Sequence, residues 1–452
     1  MAADTPRTLF AKLWDAHVVA PLGEREDLIA IDRIFLHERM GSVALQSLAE
    51  ARRAVVDPDR VFAMIDHIVD TTPGRTGTLV PGGEAFLTAT REACAAAGIR
   101  VFDIGDGEQG IVHVAGPELG LALPGATIVC PDSHTCTQGA LGALAWGIGA
   151  SEAEHALATG TLRMTRAGTM RITIDGRLGH GVTAKDLALA LLARFGADGG
   201  QGMAVEYAGE AVRAMEVEAR LTLCNMATEF GAMTGLIAPD AVLFAWLRGR
   251  PHAPAGAAWE AALATWRELA TDDGATFDIE HCFDARDVAP MIGWGTSPAQ
   301  SVAVGDRAPA DNAYMAVEGG APLLGLPIDA AFIGSCTNGR LSDLRAAADV
   351  LRGRQVAPGV RAWVVPGSTS VRAAAEAEGL DRVFTDAGFE WRESGCSMCF
   401  HAGGPGLPPG SRVVSSTNRN FEGRQGVGVR THIASPATVA ASAVAGVLAD
   451  PR

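Results

Sequence analysis

Short β-rich runs alternate with Ala-, Leu- and Glu-rich stretches of helical periodicity along most of this 452-residue chain. Residues 341–351 and 371–378 are typical helical stretches, and Ser435-Pro436 predicts the start of a C-terminal helix that runs to about Leu448. The predicted strands are Ile29–Asp32, Arg100–Ile104, Ala126–Cys130, Met170–Ile174, Asp329–Ile333, Arg361–Val365 and Arg412–Val414. This alternation predicts α/β layers with largely parallel sheets, and the length predicts about two to four domains.

Polar motifs follow three of the predicted strands. They lie at residues 132–134 (Asp-Ser-His), 335–338 (Ser-Cys-Thr-Asn) and 418–420 (Asn-Arg-Asn). Open α/β sheets bind ligands beyond the carboxyl ends of their strands, so these three loops could converge on one site. The strand–turn–helix units around Asp132 and Cys336 also look alike, which favours two related domains that face each other across a cleft.

Three cysteines near the C-terminal end have the spacing of metal ligands. Cys336 lies in the Ser-Cys-Thr-Asn turn, and Cys396 and Cys399 form a Cys-x-x-Cys pair about 60 residues later. Three thiolates can hold a [4Fe–4S] cluster by three of its irons and leave the fourth iron open, whereas closed structural sites use four protein ligands. The spacing alone also fits a zinc site completed by a histidine, or a thioredoxin-like redox pair.

Charge and hydropathy exclude several classes of partner. The chain carries 37 basic and 52 acidic residues, a formal net charge of −15, which argues against binding to nucleic acid or anionic membranes through bulk electrostatics. No apolar run is long enough to span a bilayer, and the N-terminus lacks the apolar core of a signal peptide. The eight scattered cysteines do not indicate a disulfide framework, so we expect a cytoplasmic protein.

Longer motifs spread over nearly the whole chain identify a family. They are Thr8–Val19 (TLFAKLWDAHVV), Asp66-His67, Gly110–Val114 (GIVHV), Asp132–Thr135 (DSHT), Gly181–Asp186 (GVTAKD), Leu223–Met226 (LCNM), Trp294–Thr296 (WGT), the three cysteine motifs and Asn418–Gly426 (NRNFEGRQG). In this order the motifs resemble those of the aconitase superfamily, and most closely those of the large subunits of 3-isopropylmalate dehydratase.

The resemblance implies a fold and a reaction. It implies three α/β domains, at residues 1–167, 168–300 and 301–452, packed around the cluster, and it implies that the swivelling domain of the longer superfamily members resides on a separate small subunit. The implied activity is that of a hydro-lyase, which isomerises 2-isopropylmalate and 3-isopropylmalate through an enoic diacid in leucine biosynthesis. One [4Fe–4S] cluster per chain, with one iron not ligated by protein, would activate the substrate hydroxyl without net redox chemistry.

The resemblance also implies roles for individual residues. Cys336, Cys396 and Cys399 would ligate the cluster. Three carboxylate–histidine pairs would protonate the departing hydroxyl and orient the bound water: Asp66 with His67, Asp132 with His113, and Glu229 with His134. His37 is a weaker candidate for the rim of the site. The remaining cysteines are expected to be small packed side chains: Cys94, Cys130, Cys136, Cys224 and Cys282.

Arginines and amides complete the expected site. Arg419 and Arg424, with Ser133, would bind the substrate dicarboxylate, because a guanidinium fork matches a carboxylate. Asn225, Asn338 and Asn418 would donate hydrogen bonds to the cluster sulfides or the cysteine sulfurs. Turn and cap formation is an equally good explanation of these three asparagines from sequence alone.

Several residues depart from the isopropylmalate pattern. They are Ile68, Pro131, Gln138, Thr417 and the segment Phe400–Pro405. They indicate either neutral drift or a paralogue that acts on another substituted malate, such as citramalate, a homocitrate-like acid, benzylmalate or a phosphorus analogue. An RNA-binding regulator and a zinc or redox protein are further alternatives, which the acidic charge and the intact Asp, His and Arg set disfavour.

Overall fold

The computed structural model describes residues 5–400 and 406–452. Its strands form three parallel sheets, of five, four and five strands, and two small antiparallel sheets. The α/β architecture with largely parallel sheets that the sequence predicts is therefore confirmed. Within these residues no helix is long and apolar enough to cross a bilayer.

The first part of the chain builds one five-stranded sheet and a three-stranded antiparallel sheet. Its elements are α1 (Leu9–His17), β1 (Val18–Pro21), β2 (Glu26–Ala30), β3 (Arg33–His37), α2 (Gly41–Glu50), β4 (Val61–Met64), α3 (Gly83–Ala97), β5 (Arg100–Phe102), α4 (Val112–Glu118), β6 (Thr127–Cys130), β7 (Leu144–Gly147), α5 (Ala150–Thr159) and β8 (Thr161–Thr165). A long 3-10 turn, Ser133–Leu141, follows β6.

The middle part builds the four-stranded parallel sheet and a two-stranded antiparallel one. Its elements are β9 (Thr169–Asp175), α6 (Ala184–Phe195), β10 (Ala204–Ala208), α7 (Glu210–Ala214), α8 (Val217–Asn225), β11 (Thr234–Leu236), α9 (Ala241–Leu247), α10 (Ala257–Arg267), β12 (Ile279–Asp284), β13 (Met291–Gly293) and β14 (Ser301–Ala303).

The last part builds the second five-stranded parallel sheet. Its elements are β15 (Ala330–Ile333), α11 (Ser335–Asn338), α12 (Leu341–Leu351), β16 (Arg361–Val364), α13 (Thr369–Ala377), α14 (Leu380–Ala387), β17 (Glu390–Trp391), β18 (Arg412–Ser415), β19 (Arg430–Ile433) and α15 (Pro436–Ala445). The domain boundaries expected at residues 167 and 300 stay a prediction.

The two five-stranded sheets have the same topology. Their strand orders are β5-β4-β3-β6-β7 and β17-β16-β15-β18-β19, and all neighbours are parallel. In each sheet the chain winds outward in both directions from its first strand, so the order reverses between β3 and β6 and between β15 and β18. Crevices at such switch points are where doubly wound sheets bind ligands.

The central strands are apolar on both faces. All four residues of β6 and of β15 are buried, as expected for parallel strands covered by helices on each side. Helix α12 has the predicted bounds, and Ser435 and Pro436 begin α15 as predicted. Helix α15 ends three residues before the predicted Leu448, because Gly446 takes the left-handed conformation (φ 72°) that terminates helices.

Two strands that shape the site were not predicted. Strands β3 and β4 lie in the middle of the first sheet. In the stretch of chain before Arg100, the sequence predicted a single strand, Ile29–Asp32. That predicted strand is β2, which ends at Ala30 and belongs to the small antiparallel sheet β1-β2-β8. The polar ends of β3, Arg33 and His37, interrupt the apolar pattern by which buried strands are found.

The 3-10 turn after β6 packs closely against the middle sheet at Gly139. A Cβ atom at Gly139 would lie 1.7 Å from the carbonyl oxygen of Gly235 on β11, and the backbone N–H of Ile237 donates to the carbonyl of Gly139 (3.0 Å). No side chain fits between these two backbones.

We therefore expect Gly139→Ala to lower the free energy of unfolding by at least about 3 kcal/mol, measured by urea denaturation, because two backbone segments must separate. Gly107→Ala is the control: a Cβ there meets nothing within 4 Å, and we expect a change of less than about 0.5 kcal/mol. Equal stability of the two variants would show that the turn is not held against β11.

Candidate active site

A cavity of about 300 Å³ opens at the carboxyl ends of both five-stranded sheets, next to their switch points. The three loops that the sequence placed after strand ends all reach it. Its lining residues from the first sheet are His37, Arg39, Met40, His67, Ile111, His113, Pro131, Asp132, Ser133 and His134. Its lining residues from the last sheet are Cys336, Cys396, Cys399, Phe400, Asn418, Arg419 and Arg424.

The three cysteines converge on the floor of this cavity. Cys336 lies on α11 directly after β15, and Cys396 and Cys399 flank a 3-10 turn after β17; all three are buried free thiols. All three line the same cavity.

The backbone beside the cysteines is strained. Ser335 (φ 82°) and Ser397 (φ 47°) adopt the left-handed conformation, although neither is glycine. Each such conformation lowers the folding stability by about 1–3 kcal/mol, and it persists only because surrounding contacts maintain it. The Cys-x-x-Cys pair begins a three-residue 3-10 turn rather than an α-helix, which argues against a thioredoxin-like motif.

Amide and guanidinium groups donate to the sulfurs. Asn225 Nδ2 lies 3.2 Å and Asn418 Nδ2 3.4 Å from Cys336 Sγ, and Arg424 Nη2 lies 3.7 Å from Cys399 Sγ. The third asparagine, Asn338, contacts no sulfur in the described structure, because its amide bonds Asp343 Oδ1 (2.8 Å) and the ammonium of Lys185 (3.3 Å).

Asp132 links two of the histidines. Its Oδ1 atom lies 2.9 Å from His113 Nε2 and accepts from the backbone N–H of His134 (2.7 Å), while Oδ2 lies 3.0 Å from His67 Nε2. Because burial of this carboxylate would raise its pKa, the opposing effect of its histidine partners is large: they hold the pKa of Asp132 well below its usual range.

The other two expected pairs are also in contact. His67 Nδ1 lies 2.6 Å from Asp66 Oδ1, and His134 Nε2 lies 3.0 Å from Glu229 Oε1. Burial lowers the pKa of His67, but the charge of Asp66 and the hydrogen bond to Asp132 outweigh it and raise this pKa well above its usual value. His67 is therefore an imidazolium held between two carboxylates.

His37 and Glu38 support this network from the end of β3. His37 stacks on His67 with ring centroids 3.9 Å apart and donates from Nε2 to the carbonyl of Pro131 (3.0 Å). Burial, with the charge of His67, lowers the pKa of His37 to about 4. Glu38 accepts from the backbone N–H groups of Asp66 (3.1 Å) and Ile68 (2.5 Å).

Glu38 was missed in the sequence. It directly follows His37 at the carboxyl end of a strand, which is a position that could have indicated it. Two carboxylates and two histidines in this region lie close enough to hold a metal ion: His37, Glu38, Asp66 and His67. Most of their polar atoms bond one another or the backbone, so we assign these residues to the hydrogen-bond network; His37 Nδ1 is buried without a partner among the described residues.

The two arginines also line the cavity. Arg419 Nε lies 2.6 Å from Glu229 Oε1, and the guanidinium of Arg424 lies 5.4 Å from the ring centres of both Phe400 and Phe421. Ser133 Oγ lies 3.4 Å from His134 Nδ1. These positive and hydroxyl groups surround a space that suits a small dianion.

The residues that depart from the family pattern lie around the same cavity. Gln138 Nε2 donates to His113 Nδ1 (3.2 Å), Ile68 is buried, and the Phe400 ring is flanked by Arg39 and Arg424. Thr417 contributes its carbonyl to Lys185. The remainder of the Phe400–Pro405 segment lies outside the described residues.

Fold and site together define an α/β protein in which three thiols and three histidines, each paired with a carboxylate, line one cavity. The chain belongs to the aconitase family: the model of that family (aconitate hydratase) matches residues 11–446. It is 55% identical over 461 residues to the 3-isopropylmalate dehydratase large subunit 1 of Bradyrhizobium diazoefficiens, covering 99% of this chain and 96% of that protein.

Two further proteins match this chain. The chain is 50% identical over 467 residues to the 3-isopropylmalate dehydratase large subunit of Roseiflexus castenholzii, covering 99% of each. The crystal structure of Thermococcus kodakaraensis aconitase X (holo-form) matches with 14% identity and a TM-score of 0.49, over 91% of this chain and 89% of that one. The family that the sequence motifs indicated is confirmed.

The amide of Gln138 fixes the proton of His113. Because Nε2 of an amide can only donate, His113 Nδ1 accepts and its Nε2–H donates to Asp132. We expect Gln138→Leu to release this tautomer, seen in ¹⁵N NMR of the histidine rings, and to lower the free energy of unfolding by about 1–3 kcal/mol through the unpaired Nδ1. In the control Gln46→Leu, at an exposed position, neither quantity should change; unchanged ¹⁵N spectra for Gln138→Leu would contradict the assignment.

Proposed function

We propose that this chain is the cluster-binding large subunit of a hydro-lyase that interconverts 2-isopropylmalate and 3-isopropylmalate in leucine biosynthesis. One observation carries the proposal: three buried thiols, two arginines and three histidines line a single cavity, and each of these histidines is paired with a carboxylate. The two curated relatives, at 55% and 50% identity over nearly the full chain, bear this name. They favour isopropylmalate over the other substituted malates considered from the sequence.

The residues present fit a [4Fe–4S] cluster. Cys336, Cys396 and Cys399 would hold three of its irons, and Asn225 and Asn418 already donate to the sulfur of Cys336. Burial raises the pKa of Cys336 to about 12, so its thiolate form requires a strong positive partner such as iron. When bound, the cluster would supply a Lewis-acidic iron without a protein ligand, which makes hydroxide a better leaving group.

Arg419 and Arg424 would bind the two carboxylates of the substrate. Arg419 is also paired with Glu229, which fixes its guanidinium before the substrate arrives. Ser133, at the beginning of the 3-10 turn, would donate its hydroxyl to the same anion. Such preorganised positive charge would stabilise the additional negative charge that develops as the proton next to a carboxylate is removed.

The histidines would hold and deliver protons. His67 carries a proton between Asp66 and Asp132, which makes it the best-placed acid for the departing hydroxyl. His134, held by Glu229 at Nε2, would orient the hydroxyl and the water that later adds back, while His113, bonded to Asp132 at Nε2 and to Gln138 at Nδ1, would hold Asp132 in place. Both pairs fix the direction in which each ring faces the cavity.

A separate small subunit would complete the enzyme. The relatives named above are large subunits, and the family resemblance implies that a serine base and substrate-contacting residues come from the swivelling domain of a partner chain. We propose that this chain forms a heterodimer or a larger assembly with that subunit, which closes the cavity and excludes water.

Replacing the proposed ligands tests the cluster. In Cys336→Ser, Cys396→Ser and Cys399→Ser, prepared anaerobically, we expect loss of inorganic sulfide and at least about a thousandfold lower turnover of isopropylmalate, assayed with the cognate small subunit, because the Lewis acid is missing. Cys282→Ser, at an exposed cysteine, is the matched control. Full turnover by any of the three variants, or by the large chain alone, would refute the proposal.

Replacing Phe400 tests the identity of the substrate. Its ring borders the cavity between Arg39 and Arg424, so shortening it in Phe400→Ala enlarges the space for the substituent of the malate. We expect kcat/KM to shift by about tenfold toward malates with substituents larger than isopropyl. Phe421→Ala, which removes an exposed ring on the same arginine, should leave the ratio unchanged. A preference of the wild-type enzyme for another malate would contradict the proposed substrate and the assignment to leucine biosynthesis.

A further inference from the structure

Lysine is almost absent from this chain. Of its 37 basic residues only two are lysines, Lys12 and Lys185. Lys12 is near the surface and bonds the carboxylate of Asp272 (2.6 Å), an ordinary salt bridge. Lys185 is fully buried near the start of α6, in the middle part of the chain.

The ammonium of Lys185 donates all three of its protons to neutral acceptors. Nζ lies 2.6 Å from the carbonyl oxygen of Thr417, 3.1 Å from that of Ser416 and 3.3 Å from Oδ1 of Asn338. It forms no salt bridge with any carboxylate among residues 5–400 and 406–452. Three acceptors that converge on one nitrogen suit the compact ammonium and not the planar fork of arginine.

A buried charge requires an opposite charge nearby. Neutral acceptors alone leave a desolvation cost of several kcal/mol per ion. Asp343 contributes through Asn338, whose Nδ2 lies 2.8 Å from its Oδ1, but burial raises the pKa of Asp343 to about 6. Asp343 is still mostly ionised at neutral pH, but it reaches Nζ only through Asn338, so a second negative charge nearby would complete the compensation.

The site of the proposed cluster lies next to the two loops that bind Lys185. Asn338 is two residues from Cys336, and Thr417 precedes Asn418, whose amide donates to Cys336 Sγ (3.4 Å). Burial lowers the pKa of Lys185 to about 8, and the charge of Asp343 opposes this, so the amine stays protonated at neutral pH.

We propose that Lys185 is the positive charge that balances the thiolate-bound cluster and that it also fixes the two loops around Cys336. It touches neither substrate nor the reacting atoms, so it is a positioning residue. This inference rests on the proposed function, because it requires a cluster in the cavity. A cation at this place stabilises the added electron of a reduced cluster, since the charge near a cluster sets its potential.

The test is Lys185→Met in the reconstituted complex of large and small subunits. We expect a more negative cluster reduction potential, measured by mediator titration followed by electron paramagnetic resonance, and loss of iron at least about tenfold faster in air, because the compensating charge is gone. Lys12→Met is the matched control and should change neither quantity. An unchanged potential and unchanged iron loss in Lys185→Met would overturn the inference while leaving the proposed function intact.

A second measurement covers the case in which Lys185→Met does not fold. With only two lysines, ¹⁵N-lysine labelling of the wild-type chain gives two side-chain signals. Loading the cluster should shift the Nζ signal of Lys185 and leave that of Lys12 unchanged. Two unshifted signals in protein that contains iron and sulfide would overturn the inference, whereas wild-type protein that never binds iron and sulfide would overturn the proposed function instead.

Discussion

The cavity depends on the compensation of buried charge. Carboxylates taken out of water need cations or N–H donors around them, and here each one has them. Asp132 lies between His67 and His113, and Glu229 lies between His134 and Arg419. This compensation keeps groups ionised in a space where desolvation would otherwise neutralise them, and ionised groups are what proton transfer and carboxylate binding require.

The identical topology of the two five-stranded sheets explains how these groups meet. In each sheet the switch point leaves a crevice at the carboxyl edge, and the two crevices open into one cavity. The sheets contribute different chemistry. Loops of the first sheet supply the histidines with Asp66 and Asp132, and loops of the last supply the thiols and arginines. The proposed reaction would need both contributions, because it must polarise a hydroxyl and also protonate it.

The sequence predicted those parts of the fold and site that leave a local pattern in the chain. Helix α12 and the loops that begin at Asp132 and Cys336 follow from periodicity and strand ends, and the histidine partners follow from family motifs. The sequence could not show that Asp132 serves two histidines, because that contact joins residues 65 positions apart. Strands β3 and β4 were missed, since tertiary burial rather than local pattern determines them.

The role of Lys185, in the middle part of the chain, was not predicted, and the reason is physical. Lys185 lies near the start of α6, beside a different sheet, and contributes one charge to a site whose remaining groups lie elsewhere. A single charge has no periodicity and no partner in sequence, so it becomes interpretable only when its burial and its acceptors are known. The strained Ser335 and Ser397 are similar, because their φ angles are imposed by the surroundings of the neighbouring cysteines. The middle part therefore acts on the site through electrostatics and support, and the Gly181–Asp186 motif that contains Lys185 does not by itself show this.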